Sequence, residues 1–420
     1  MSNQYEEMKN YAAKYGQEHV LRFYNTLKES ERELLLTSIQ RTDFEAAAAL
    51  YQKAEEAPAA TGDICPAAAA DKAKFTQDEL ARYSEIGLKI MAEGGYAAIT
   101  MAGGQGTRLE FDGPKGIYDI GLPSHKSFFE IQLDTLKRMS RKIGKAIPWY
   151  IMTSRENNSA IEAFFEDHNW FGYPKEDIRF FRQGALPLVG FDGKVLMENP
   201  YTIKEGSDGN GSIFRALLQS GAAADLRKRG IKWFYVCNVD NVLANLADEI
   251  ILGYAADEKA QCVSKSVIKS HPHEKVGVFC YRNGRPAVVE YSEISREMAE
   301  MTDENGELVY GDSHISCTLF HTDVLELDGV LHMPYHTARK KISYLDENGQ
   351  KVIPAEVNAY KFEAFIFDAF QFVDSFRVFR IRREEEFAPV KNKSGEDSPE
   401  TARKLYLDYY GEGGALDEEN

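Results

Sequence analysis

Tyr96-Ala-Ala-Ile-Thr-Met-Ala-Gly-Gly-Gln-Gly-Thr-Arg-Leu109 runs from an apolar hexapeptide straight into a glycine cluster. The hexapeptide is preceded by Gly94-Gly95, so its length and punctuation predict a short, buried strand. Two further apolar stretches, Trp149–Thr153 and Trp233–Val239, have the same character. Helical patterns over Ser127–Arg141 and Gly211–Arg227 fall between them. Strands alternating with helices predict an α/β fold, with a Rossmann-like mixed, mostly parallel sheet flanked by helices. Such sheets bind ligands beyond the carboxyl ends of their strands, so residues just after these runs are expected to converge.

The glycine cluster carries the clearest chemistry. Gly103, Gly104 and Gly106 let backbone N–H groups approach a phosphate. Arg108 adds a forked cation, and Lys115, in Gly113-Pro-Lys-Gly116, a compact one. Two familiar phosphate loops are excluded. A Walker loop needs GxxxxGK[ST], which is absent, and a dinucleotide fingerprint needs a third glycine where Leu109 stands. Glycines alone more often mark a structural turn. With two cations in so short a span, they point to phosphate binding.

Outward from this loop, residues 1–56 carry rough helical periodicity, and the segment around Pro58, Gly62 and Pro66 reads as a loop. A helix is expected from Gln77 to Ala92, capped by Thr76. Between 262 and 321, VGVFCY, RPAVVEY and ISCTLF read as strands. A helix over Phe362–Phe372, a strand over Phe376–Arg382, a polar loop at 392–398 and a helix opened by Ser398-Pro399 follow. The division expected is a helical N-terminal arm over 1–94, an α/β domain over 95–330 and a C-terminal domain over 331–420. The net charge is −16, from 50 Lys and Arg against 66 Asp and Glu, which argues against nucleic acid and anionic lipid as partners. The five cysteines form no CxxC pair, the N-terminus lacks an apolar signal core, and no apolar stretch reaches membrane-spanning length. A cytoplasmic protein is expected.

MAGGQGTRL with PKG and GLPSHKSFFEIQ resembles the UDP-N-acetylglucosamine pyrophosphorylases, within the wider UTP:sugar-1-phosphate uridylyltransferases. The likeness continues in order through FFRQGALP (180–187), DGNGSIFRAL (208–217), VDN (239–241), VGV (276–278), VVEYSEIS (288–295), FEAFIFDAF (362–370) and EFAPVKN (386–392). It implies a nucleotide-diphospho-sugar transferase fold, with catalysis in 95–330 and Lys391 supplied by the C-terminal domain. It also implies that UTP and a sugar 1-phosphate give a UDP-sugar and pyrophosphate. Arg108, Lys115 and Lys391 are then the catalytic cations. Ala102, Gly103, Gly104, Gln183 and Gly209 bind the nucleotide, with the Gln183 amide suited to the imide edge of uracil. Asn210, Gly277, Glu290, Tyr291, His314 and Phe365 form the sugar pocket. Asp240 holds Mg²⁺, which takes few protein ligands and several phosphate oxygens. Without the likeness, Lys391 reads as a solvated lysine, Gln183 as a turn amide, Asp240 as a helix cap, and Phe365 and Phe367 as core.

Two positions depart from the family pattern. Glu110 stands where RLG has glycine, and its carboxylate would repel a triphosphate unless it pointed away. His314, in Ser-His-Ile-Ser, stands where a GNI-type block places the sugar-contacting Asn. N-acetylglucosamine 1-phosphate is the first expectation for the sugar. The alternatives are a UDP-glucose or UDP-galactose pyrophosphorylase, or a non-catalytic UDP-sugar binder.

Overall fold

A computed structural model describes residues 2–56, 62–412 and 414. The part of the expected loop at 57–61 lies outside the described residues. The chain divides into two compact units. One comprises Met1–Thr61, Gly184–Ser212 and Met333–Phe365; the other comprises Gly62–Gln183, Ile213–His332 and Ile366–Asn420.

The larger unit is built on a sheet of eleven strands among the described residues. In chain order they are β1 (Ile64–Pro66), β2 (Ala69–Asp71), β3 (Tyr96–Met101), β4 (Trp149–Thr153), β5 (Ile178–Arg182), β6 (Trp233–Asn238), β7 (Cys262–Ile268), β8 (Val278–Arg282), β9 (Arg285–Val289), β10 (Asp312–His321) and β11 (Phe376–Arg380). The spatial order is β2-β11-β7-β10-β6-β3-β4-β5, with β1, β8 and β9 branching from it. The β6-β3-β4-β5 pairs are parallel, as are β7-β11 and β2-β11. Only β10 runs against β6 and β7 on this path. Every residue of β3 and β4 is buried. That is why both read as continuous apolar runs rather than alternating ones.

The helix Phe128–Ile143 covers this sheet. Ser127 and Glu130 form a capping box at its start, and Gly144 closes its end at φ 71°. Phe128, Phe129, Ile131, Leu133, Leu136 and Met139 along it are buried in the core shared with β3 and β4. The helix Gln77–Ala92 begins at Thr76 with a second capping box, to Glu79. The helical stretch expected over 211–227 is broken. Ile213–Gln219 and Ala222–Lys228 are separate helices, divided at Gly221 with φ 75°.

The smaller unit joins three helices, Ser2–Lys14, Glu29–Arg41 and Phe44–Glu56, to short strands from two distant segments. A three-stranded sheet runs His336–Lys340, Ala359–Glu363, Val189–Gly190. Leu35, Leu36, Ile39, Phe44, Val189, Ile203, Tyr360 and Phe362 share its core. The helix expected over Phe362–Phe372 is not formed. Ala359–Glu363 pairs antiparallel with His336–Lys340, and Ile366–Phe372 is a 3₁₀ segment in the other unit. The chain changes units at Phe365–Ile366, so its aromatic spacing serves two cores rather than one helix face.

Candidate active site

Three carboxyl ends of parallel strands in the larger unit deliver the expected residues. Ala102 and Gly103 follow β3, Gln183 follows β5, and Asp240 lies two residues after β6. The loop after β3 is closed on itself. The Lys115 amide donates to the Gly104 carbonyl (3.1 Å), and the Gly106 amide donates to Gly113 (2.9 Å). Leu109 is buried beneath it, while Gly104 and Arg108 are exposed. A Cβ on Gly103 would lie 2.2 Å from the Gln183 Oε1, so the glycine and the amide are in direct apposition. Gln183 is buried, and its backbone N–H donates to the Thr153 carbonyl at the end of β4 (2.8 Å).

The Lys115 Nζ lies 2.6 Å from the Asp240 Oδ2, with both side chains mostly buried. Asp240 caps no helix; it sits in a turn after β6. The cap of the next helix is Asp248. Lys391 lies 3.0 Å from Asp397 and is 40% exposed at its side chain. Glu110 adopts the left-handed conformation, φ 56° and ψ 31°. Its carboxylate reaches Lys393 at 2.5 Å, so it is engaged with the C-terminal segment.

Asn157 was not marked by sequence reasoning. Its amide nitrogen donates to the carbonyls of Ala102 (2.9 Å) and Gly104 (3.4 Å), and its Oδ1 accepts from the Ser154 amide (2.8 Å). It is almost fully buried, so it fixes the path of the glycine loop from behind. The one available signal was the Ser154–Asn157 spacing, suited to a side-chain turn.

The remaining residues form two groups. In the larger unit, the His314 amide donates to Gly277 (2.8 Å), and a Cβ on Gly277 would lie 3.2 Å from the Glu290 Oε1. The His314 ring meets Phe279, Phe367 and Phe370 edge-on. Part of the residue remains exposed, but its Nε2 is sealed and has no hydrogen-bond partner among the described residues. This burial pushes its pKa down to about 4. Tyr291 is 50% exposed. In the smaller unit, the Gly211 amide donates to the Ala364 carbonyl and the Ala364 amide to the Asp208 carbonyl, both at 2.8 Å. Between them Gly209 sits at φ 91°, where a Cβ would lie 2.2 Å from the Ala364 oxygen. Asn210 belongs to this stitched segment, and Phe365 adjoins it in sequence, its ring 4.9 Å from His336.

The profile of the family UTP–glucose-1-phosphate uridylyltransferase (UDPGP) matches residues 57–396. The chain belongs to the UDPGP family. Within it, the chain is 43% identical over 337 residues to the UDP-N-acetylglucosamine pyrophosphorylase of Saccharomyces cerevisiae, covering 77% of this chain and 71% of that one. It is 37% identical to the UDP-N-acetylhexosamine pyrophosphorylase-like protein 1 of Xenopus tropicalis, covering 96% and 83%. Among solved structures, the uridine diphosphate N-acetylglucosamine pyrophosphorylase of Trypanosoma brucei, in complex with an inhibitor, superposes with a TM-score of 0.83. The identity there is 30%, over 97% of this chain and 85% of that one. A UDP-glucose pyrophosphorylase of Leishmania major shares the fold at a TM-score of 0.64 and 17% identity, over 87% of this chain and 77% of that one. No helix among the described residues of this UDPGP-family chain is long and apolar enough to cross a membrane.

Among the described residues, no three His, Cys, Asp or Glu side chains cluster as a metal cage. A carboxylate at the glycine loop, Asp240, fits Mg²⁺. That ion is held by one or two carboxylates together with substrate phosphates and water.

Proposed function

We propose that this UDPGP-family chain is a UTP-dependent uridylyltransferase that takes N-acetylglucosamine 1-phosphate. A phosphate oxygen of the sugar 1-phosphate attacks the α-phosphorus of UTP; the bond to the β-phosphate oxygen breaks, and pyrophosphate leaves. The attacker is already an anion, so no protein nucleophile is needed. The protein's task is to align two anions and to stabilise charge on the leaving group.

The observation that carries this reading is the convergence of Gly103, Gln183, Lys115 and Asp240 at three strand ends, with the Gln183 amide against Gly103. In it, Gln183 reads uracil, the amides of Gly103 and Gly104 face the phosphates, and Arg108, Lys115 and Lys391 bind and neutralise them. Asp240 would hold Mg²⁺, which supplies charge neutralisation and polarises the phosphate when bound. Lys115, now on Asp240, would turn to a phosphate oxygen. In the larger unit, Glu290 and Gly277 are read as contacts of the sugar. The five cysteines are all unpaired, which supports a reducing compartment such as the cytoplasm.

His314 favours a second reading of the sugar. A neutral imidazole among phenylalanines offers different contacts from an asparagine amide, so glucose or galactose 1-phosphate is the alternative. A pyrophosphate-release screen with UTP, Mg²⁺ and the 1-phosphates of N-acetylglucosamine, N-acetylgalactosamine, glucose and galactose decides between them. Release with N-acetylglucosamine 1-phosphate is expected to be fastest. Calorimetric binding of UDP-N-acetylglucosamine with no release from any of the four would establish a non-catalytic binder instead.

A further inference from the structure

Lys265 sets an ion inside the central sheet. It lies within β7, fully inaccessible, with its Nζ 5.3 Å from the centre of the Tyr235 ring. Two carboxylates share it. Asp248 Oδ2 lies 2.6 Å away, and Glu386 makes a shorter contact on the same nitrogen. Both acids are almost wholly buried. Burial opposes the charge on Lys265, and the two carboxylates override it, holding its pKa above the usual lysine value. Burying ions costs several kcal/mol each, and a well-packed apolar trio often serves stability as well or better. What this triad adds is a fixed geometry, and its connections show what is fixed.

Asp248 is already committed: its Oδ1 caps the helix Glu249–Asp257 through the amides of Ile250 and Ile251. Glu386 ends the short helix Arg383–Glu386 and opens the segment that runs to Lys391. That segment lies antiparallel to the Asp240 turn, with Asn241 opposite Pro389. The Val390 amide donates to the Asp240 carbonyl (3.0 Å), and the Val242 amide donates to Ala388 (3.2 Å). The Asn241 side chain closes the ladder, donating to the Glu386 carbonyl (2.8 Å) and accepting from the Ala388 amide (2.9 Å). Pro389 has no N–H to give, so the backbone ladder is short. The residue it delivers, Lys391, is held beyond it by Asp397.

Resting on the reading of Lys391 as a phosphate-binding cation, we propose that Glu386 is a positioning residue. Its carboxylate, clamped by Lys265 in the buried triad, sets the register that places Lys391 beside the Asp240 turn. Glu386 touches no substrate; it acts through Lys391.

The test is a cycle on the full chain with Glu386→Gln, Lys391→Ala and the double variant. It is read by kcat and KM for pyrophosphate release, by denaturant unfolding, and by hydrogen exchange of the peptide covering 387–391. Glu386→Gln is expected to lower kcat/KM about 10- to 100-fold, the scale of an ångström-level misplacement, and to speed exchange in that peptide. The double variant is expected to be no worse than Lys391→Ala alone, because the two residues act as one unit. If Glu386→Gln does not fold, Lys265→Met with Asp248→Asn and Glu386→Leu removes the whole triad without stranding a charge, keeps the helix-capping Oδ1 at 248, and takes its place in the cycle. Unchanged kcat/KM without the carboxylate, or a loss that persists in full on top of Lys391→Ala, overturns the proposal and leaves Lys391 its role. Unchanged turnover in Lys391→Ala alone overturns the reading of Lys391 and takes this proposal with it.

Discussion

The two compact units hold their candidate site residues by opposite means. In the larger unit several are charged side chains engaged with another: Lys115 with Asp240 and Lys391 with Asp397, as is the neighbouring Glu110 with Lys393. In the smaller unit the anchor is backbone. Gly209 and Gly211 are stitched to Ala364 so closely that a single Cβ would collide with its carbonyl. A side-chain ion pair can be removed with modest cost to folding when it is partly exposed. A backbone apposition cannot be altered without moving the chain. The charged half should therefore separate chemistry from stability, and the glycine half should not.

The largest expected effect tests the first half of that contrast. Lys115→Ala removes a cation from the leaving-group side and is expected to lower turnover by about 10²–10³-fold, roughly 3–4 kcal/mol of transition-state stabilisation. The pair is mostly buried, so the variant's unfolding free energy should change by more than the ~1 kcal/mol of an exposed pair and by less than the ~3–5 kcal/mol of a fully buried one. Steady-state pyrophosphate release and denaturant melts on the same preparation measure both. A fall in stability comparable with the fall in activity would break the contrast. Gly209→Ala is the complementary test. The added methyl meets backbone at 2.2 Å, and φ is 91°. A cost of about 2–3 kcal/mol in stability is expected, with activity lost in proportion to the unfolded fraction. A stable Gly209→Ala with normal unfolding would mean that the segment relaxes freely and that the stitch is incidental.

How far the sequence disclosed this arrangement depends on how local the signal was. β3 and β4 were legible to the residue because strands buried on both faces show unbroken apolar runs. The helix starts at Thr76 and Ser127 were legible because capping boxes are short-range. Placing Gly103 and Asp240 together required only that parallel strands share an edge; Gln183 entered through the resemblance, because the strand Ile178–Arg182 was not read from the sequence. The phenylalanines of 362–372 misled, since their spacing suits one helix face, yet the chain passes between two cores at 365–366. The contacts of Asn157 with the glycine loop and of Glu110 with Lys393 were out of reach because they exist only as tertiary contacts. A polar residue in a turn carries no sign of what it will touch.

His314 sharpens the contrast from a third side, as a polar group in the larger unit whose Nε2 meets no partner among the described residues. Burial holds its pKa at about 4, below the ordinary 6.5. The native state therefore keeps the ring neutral, while the unfolded chain takes up a proton near pH 6.5. The sign follows: stability is at its full value above pH 6.5 and is lost as pH falls toward 4. A gap of that width between the native and unfolded rings is worth up to roughly 3 kcal/mol. Other groups titrate over the same range, His19 among them. The readout is therefore the difference between the wild type and His314→Asn, compared at pH 7 and pH 4.5 by denaturant unfolding. The Asn variant should lose less stability on acidification. Parallel pH profiles would show that the ring gains solvent or a partner on protonation.

The smallest effect concerns Glu110, where the two kinds of anchoring meet in one residue. Its backbone is in a region that favours glycine, and its side chain makes an exposed ion pair with Lys393. Replacing it by Gly relieves about 1 kcal/mol of left-handed strain. It also adds flexibility to the unfolded chain and removes a surface pair that contributes at most about 1 kcal/mol. These terms oppose one another, so Glu110→Gly should shift unfolding by less than about 1 kcal/mol, with the remaining difference shrinking at high salt. Turnover should change by less than about threefold, because the carboxylate is engaged with Lys393. A rise of tenfold or more, measured as pyrophosphate release at low and high ionic strength, would show that the pair restrains the glycine loop during turnover. The ion pairs of the larger unit would then govern motion as well as charge.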